Sequence, residues 1–197
     1  MPLHVRAWEE YLASLGIQVE DLERRMHGKR NVELVDDLIG SGLSEDVIFR
    51  HGAAKEQLWR EMVLRNGIEE YRIPGLIEFL ERHESVPKAV ASNAEPQNID
   101  FVLDHYNLRR FFAAAVNGLE VNRPKPFPDI YLEAARRLVA DPRNCIVFED
   151  SPTGLQAGID AGMRVVGLET TSKELDRADV QVKDFRDPRL ETWLTTQ

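Results

Sequence analysis

Apolar side chains recur at helical spacing through residues 1–73. Val5, Trp8, Leu12 and Leu15 fall at i, i+3, i+7 and i+10, which sets them on one side of a helix with 3.6 residues per turn. Pro2 stands early in that helix and Gly16 marks its stop, as fits a residue without an N–H and one without a Cβ. Asp21 to His27 reads as a short helix ended by Gly28, and Asn31 is placed to cap the next, which runs through Ile39 before Gly40. Ser44 is placed to cap a longer helix carrying Val47, Ile48, Leu58, Trp59 and Met62, closed by Gly67. No alternating strand pattern interrupts this stretch, so residues 1–73 are expected to form a helical domain.

After Ile73-Pro74-Gly75 the period changes. Short apolar runs of strand length alternate with amphipathic segments: a helix from Leu76 to Arg82, a strand at Lys88 to Ala91 ending in Ser92-Asn93, and a helix from Pro96 to His105. A strand near Ala114 to Val116 follows, then a helix from Asp129 to Leu138, a strand from Cys145 to Phe148, a helix from Thr153 to Ala161 and a strand from Arg164 to Leu168. Strand–helix alternation predicts right-handed crossovers and a mainly parallel sheet, an α/β Rossmann-like core over residues 74–197.

Open α/β sheets place their chemistry at the carboxyl ends of the strands. Ser92-Asn93 offers a hydroxyl just ahead of a helix N-terminus, a good cradle for an anion. Glu149-Asp150 sets two carboxylates side by side at a strand end, which suits a hard cation bound through oxygen. Asp150 by itself is equally suited to capping the following helix. Lys125 lies between Pro124 and Pro126, a cation on a stiff backbone. Alone it reads as an exposed lysine whose removal would leave stability nearly unchanged. Together, a hydroxyl, an ammonium and a carboxylate pair are what phosphoryl transfer requires.

Val90-Ala91-Ser92-Asn93, Lys125-Pro126-Phe127-Pro128-Asp129-Ile130-Tyr131 and Val147-Phe148-Glu149-Asp150-Ser151 resemble, in that order, the second, third and fourth motifs of the haloacid dehalogenase superfamily. The match is to its β-phosphoglucomutase-like branch with a helical cap, and Met1-Pro2-Leu3-His4-Val5-Arg6-Ala7-Trp8 resembles the opening of that cap. The resemblance implies a Mg²⁺-dependent phosphatase acting on a small phosphorylated metabolite through an aspartyl-phosphate. It gives Ser92, Asn93 and His4 to phosphate or substrate, Lys125 to catalysis and charge neutralisation, and Asp150, with Glu149 directly or through water, to the metal. A sugar phosphomutase and a non-catalytic phosphate-binding protein are the alternatives. The loop Gly28-Lys29-Arg30-Asn31 resembles the substrate-reading loop of the cap, where Lys29 or Arg30 could meet a distal phosphate.

The family's first motif, a strand running into Asp-x-Asp-Gly, supplies the nucleophile and the general acid–base. No such tetrapeptide occurs in the 197 residues: Asp36-Asp37 sits in a helical pattern, and Asp184-Phe185-Arg186-Asp187 lacks the glycine. The resemblance puts that motif ahead of Met1, so a misplaced start or a truncation is expected rather than a natural loss. The missing strand is central in the family's sheet, and its loss should cost packing on both sides.

Composition narrows the partners. A net charge of −9 argues against nucleic acid, and no apolar run reaches membrane-spanning length. Cys145 is the single cysteine; it excludes an internal disulfide, reads as an inert core residue and points to a reducing cytoplasm. His27, His51, His83 and His105 share no metal-ligand spacing and are expected to be solvated, whereas Trp8 and Trp59 should pack inside the cap.

Overall fold

The computed structural model describes residues 2–26, 29–67 and 71–196. The expected stop at Gly28 and the solvation of His27 lie outside the described residues. The chain divides into two compact units, Met1–Tyr71 and Arg72–Gln197.

The first unit is helical throughout its described residues: α1 (Pro2–Ser14), α2 (Leu22–Met26), α3 (Asn31–Leu38) and α4 (Glu45–Asn66). Trp8 and Leu12 of the α1 stripe are buried with Leu22, Met26, Leu34, Val35 and Leu38. Leu15, one turn further, lies beyond the end of α1 and is exposed. Asn31 does not cap α3. Arg30 holds the cap position, with Glu33 accepting from its N–H at 2.7 Å, and Asn31 is the first helical residue. Gly67 closes α4 at φ +87°, a conformation that costs glycine little.

The second unit carries α5 (Leu76–Arg82), β1 (Ala89–Ser92), α6 (Pro96–His105), β2 (Ala114–Asn117), α7 (Asp129–Arg137), β3 (Ile146–Glu149), α8 (Pro152–Asp160), β4 (Arg164–Leu168), β5 (Val180–Val182) and α9 (Pro188–Leu194). All pairings are parallel, in register Ala89↔Ala114 for β1–β2, Ile146↔Arg164 for β3–β4 and Val166↔Val180 for β4–β5. The strands form two sheets, β1-β2 and β3-β4-β5, with no pairing between β1 and β3. Both sheets nevertheless rest on one apolar layer. Ile130, Ala134 and Ala135 of α7 and Leu155 and Ala157 of α8 share a core with Ala89 and Ala91 of β1 and Val147 of β3.

On their other faces, β1 and β2 meet Leu80, Ile99 and Leu103, while β4 and β5 meet Phe79, Phe185 and Leu190. Covering both faces explains why these strands read as unbroken apolar runs. β5 and α9 are absent from the sequence reading. Val180-Gln181-Val182 is too short for a pattern, but Asp187-Pro188 is a cap-and-N1 signal, with Asp187 accepting from the Arg189 N–H at 3.1 Å.

Candidate active site

The ends of β1 and β3 open on one cleft of about 410 Å³ whose lining includes Ser92, Asn93, Lys125, Glu149 and Asp150. Ser92 closes β1, and its hydroxyl oxygen accepts from the Ala94 N–H at 3.1 Å. That leaves the hydroxyl proton to donate to an anion. Asn93 is used differently. Its amide oxygen accepts from the Lys125 N–H at 3.1 Å and its amide nitrogen donates to the Lys125 carbonyl at 3.2 Å. The Asn93 side chain thus pins the backbone of the lysine.

Lys125 is not an exposed lysine. Its side chain keeps 9% of its accessible surface, and its ammonium is ion-paired with Glu149, itself 8% exposed, while donating to the Ala91 carbonyl at 3.0 Å. The premise that its loss would leave stability nearly unchanged, an exposed lysine, does not hold: breaking so enclosed a pair strands the surviving charge. The third ammonium proton meets no acceptor among the described residues and has the cleft before it.

Glu149 is turned inward. One carboxylate oxygen receives Lys125 and, at 2.6 Å, the Tyr131 hydroxyl. The other accepts from Asp150 N at 3.1 Å, Ser151 N at 3.3 Å and Ser151 Oγ at 3.0 Å. Burial pushes its pKa up, but the Lys125 charge and the bonds from Lys125, Tyr131 and Ser151 outweigh it and hold the carboxyl below its ordinary value. With both oxygens engaged, direct ligation of a metal by Glu149 does not fit. Asp150 is the carboxylate that remains, held by Thr170 Oγ1 at 3.2 Å and by the Thr171 hydroxyl. It does not cap α8: Ser151 does, accepting from the Gly154 N–H at 3.1 Å.

No group of three or more His, Cys, Asp or Glu among the described residues could hold a metal ion. The donor set fits Mg²⁺ in one respect: such ions are commonly bound through one or two carboxylates, with water and substrate phosphate supplying the rest. Asp150 meets that description.

His4 belongs to the helical unit. Its ring stacks on Trp59 at 4.7 Å and 3° between planes, and its Nδ1 lies 3.4 Å from Lys55 Nζ and 3.9 Å from Glu56. Lys55 and Glu56 are both buried and ion-paired, and Asn31 donates to Glu56 at 2.7 Å. Burial first, and the Lys55 charge second, lower the His4 pKa to about 4. Nothing in the helical periodicity marks Lys55-Glu56; a buried lysine is visible only once the helices pack. Lys29 is paired with Asp37 at 2.9 Å and Arg30 with Glu33 at 3.5 Å. His51 is not simply solvated but lies 2.7 Å from the Tyr11 hydroxyl, and His83 packs on Phe79. Cys145 stands just ahead of β3, half-buried, its thiol pKa raised by burial and by Asp141.

A profile of the haloacid dehalogenase-like hydrolases matches residues 2–162. The chain belongs to that family. Among its relatives, the fructose-1-phosphate phosphatase of Escherichia coli (strain K12) is 31% identical over 171 residues, covering 85% of this chain and 88% of that protein. The bifunctional riboflavin kinase/FMN phosphatase of Arabidopsis thaliana is 40% identical over 128 residues, 61% of this chain, and the chain spans about a third of its length, 34%. The β-phosphoglucomutase of Clostridium difficile shares the fold, with a TM-score of 0.81 at 22% identity over 98% of this chain and 88% of its own. For this haloacid dehalogenase-like hydrolase, no described helix is long and apolar enough to cross a membrane.

Proposed function

We propose that residues 74–197 are the phosphate- and metal-holding core, and residues 1–73 the cap, of a Mg²⁺-dependent phosphatase acting on a small phosphorylated metabolite. The observation that carries this reading is Lys125: a largely enclosed, fixed ammonium with one proton that meets no acceptor among the described residues, in a cleft that also holds the Ser92 hydroxyl and the Asp150 carboxylate. Ser92 Oγ and the backbone beyond it hold the phosphoryl oxygens, Lys125 offsets their charge, and Asp150 contributes a ligand to the ion. When bound, the ion supplies Lewis-acid polarisation of a phosphoryl oxygen. Relatives named as phosphatases of fructose-1-phosphate and FMN support a small phosphorylated substrate.

In this reading the attacking carboxylate comes from an Asp-x-Asp-Gly motif, which the 197 residues do not contain. β1 and β3 belong to different sheets, and at the cleft Lys125 bridges the Ala91 carbonyl of one and the Glu149 carboxylate of the other; a parallel strand joining the sheets between them would deliver its last residues there. The test compares this chain with one extended at its N-terminus by a strand ending Asp-x-Asp-Gly, using p-nitrophenyl phosphate with and without EDTA. The expected result is background hydrolysis by the short chain and EDTA-sensitive turnover by the extended one. EDTA-sensitive turnover by the short chain would overturn the assignment of roles, and an inert but folded extended chain would overturn the phosphatase reading.

A further inference from the structure

Tyr131 has no place in the roles assigned above, yet it touches both members of the ion pair at the centre of the cleft. It lies on α7 with 7% of its surface exposed. Its hydroxyl donates at 2.6 Å to the Glu149 oxygen that also receives Lys125. Its ring stands face-on to the cation, with Lys125 Nζ 4.8 Å from the centroid. One side chain thus offers a hydrogen-bond donor to the anion and a π face to the cation.

We propose that Tyr131 is a positioning residue for Lys125. A buried lysine paired with a single carboxylate gives much of its charge to that partner and has little left for a ligand. The phenol takes part of the Glu149 charge into a second strong hydrogen bond, which weakens the carboxylate's pull on the ammonium. The ring at the same time supports the ammonium from a side where no polar partner would hold it. Lys125 is thereby kept with one proton available for an incoming phosphoryl oxygen instead of being drawn wholly into the carboxylate. This inference rests on the reading of Lys125 as the group that offsets phosphoryl charge.

The consequence is a coupling that a merely structural tyrosine would not show. If Tyr131 acts through Lys125, the two substitutions cannot be additive. Binding of inorganic phosphate is measured by calorimetry on the parent chain, Tyr131→Phe, Lys125→Ala and the double variant, each checked for folding by circular dichroism. Tyr131→Phe should weaken phosphate about three- to tenfold, Lys125→Ala by more, and the double variant no further than Lys125→Ala. Additive losses, or no loss in Tyr131→Phe, overturn the proposal. Undiminished phosphate binding in Lys125→Ala is a separate outcome, which overturns the underlying reading of the site.

Should Tyr131→Phe not fold, replacement of the tyrosines by 3-fluorotyrosine decides with the hydroxyl retained. Of the four tyrosines, Tyr131 is the one that meets Glu149 and Lys125 among the described residues; Tyr11, Tyr71 and Tyr106 lie elsewhere. A more acidic phenol is a stronger donor to Glu149, so phosphate should bind about twofold tighter; unchanged or weaker binding overturns the proposal.

Discussion

The carboxylate of Glu149 fills the space in which a side chain at Gly154 would begin: a Cβ there would stand 2.0 Å from Cδ and 2.1 and 2.2 Å from the two oxygens. The first turn of α8 therefore has to be bare for the end of β3 to fold its acid inward. Backbone N–H groups of Asp150 and Ser151 then close around that acid, and Lys125 is drawn to it.

Gly154→Ala is expected to displace Glu149 and with it Lys125. Overpacking of this kind costs about 1–3 kcal/mol, and the carboxylate also forfeits buried hydrogen bonds. The substitution should lower the melting temperature and weaken phosphate binding together. A variant with unchanged melting temperature and phosphate affinity would show that the helix turn has room the structure denies it.

Lys125→Ala should destabilise the fold by about 3–5 kcal/mol, because Glu149 is left charged, buried and without its cation. Phosphate and vanadate binding should fall in the same variant. Lys125→Ala combined with Glu149→Gln removes the stranded charge, so the pair should recover part of the stability without recovering anion binding. Urea unfolding and calorimetric titration separate the two effects, and full recovery of both would contradict the assigned role.

Asp150→Asn should have the opposite profile. Asp150 is half-buried, and its bonds go to two threonine hydroxyls, which an amide oxygen can also accept. Melting temperature should hardly change, while Mg²⁺ affinity should fall by about tenfold or more, as measured by titration of the metal. Equal Mg²⁺ binding by the variant would put the ion elsewhere.

The helical unit predicts a pH dependence. His4 has its pKa lowered from 6.5 to about 4 in the folded chain, so between those values the unfolded chain takes up the proton first. Stability due to this group is present above pH 6.5 and is lost as pH falls towards 4. Since 35% of the His4 side chain is exposed, solvent screening keeps the effect small. Melting temperatures between pH 7 and 4 should slope less in His4→Gln than in the parent; parallel curves would remove His4 as the cause. Glu149, also held below its ordinary value, adds a loss of the same sign at lower pH.

Most of the secondary structure was written in the chain, because it depends on local periodicity and on where proline and glycine stand. Leu76–Arg82, Pro96–His105 and Arg164–Leu168 begin and end where the pattern places them. So was the set Ser92, Lys125, Glu149 and Asp150, which meet on one cleft: strand ends in a parallel sheet converge by construction, and Lys125 joins them from the loop between β2 and α7. What each of these side chains does was decided by packing alone. Two adjacent carboxylates read alike in sequence, yet the bare turn at Gly154 makes room for Glu149 to turn inward, where both its oxygens are engaged, while Asp150 is held by two threonine hydroxyls. That the Asn93 side chain clamps the Lys125 backbone is likewise set by the approach of the 124–126 segment. Lys55 and Glu56 carry no signal in one dimension, and the motif that contains Tyr131 does not say what its side chain touches. Whether an ionisable group is buried, and against which partner, is settled by segments far apart in the chain, and local spacing cannot encode it.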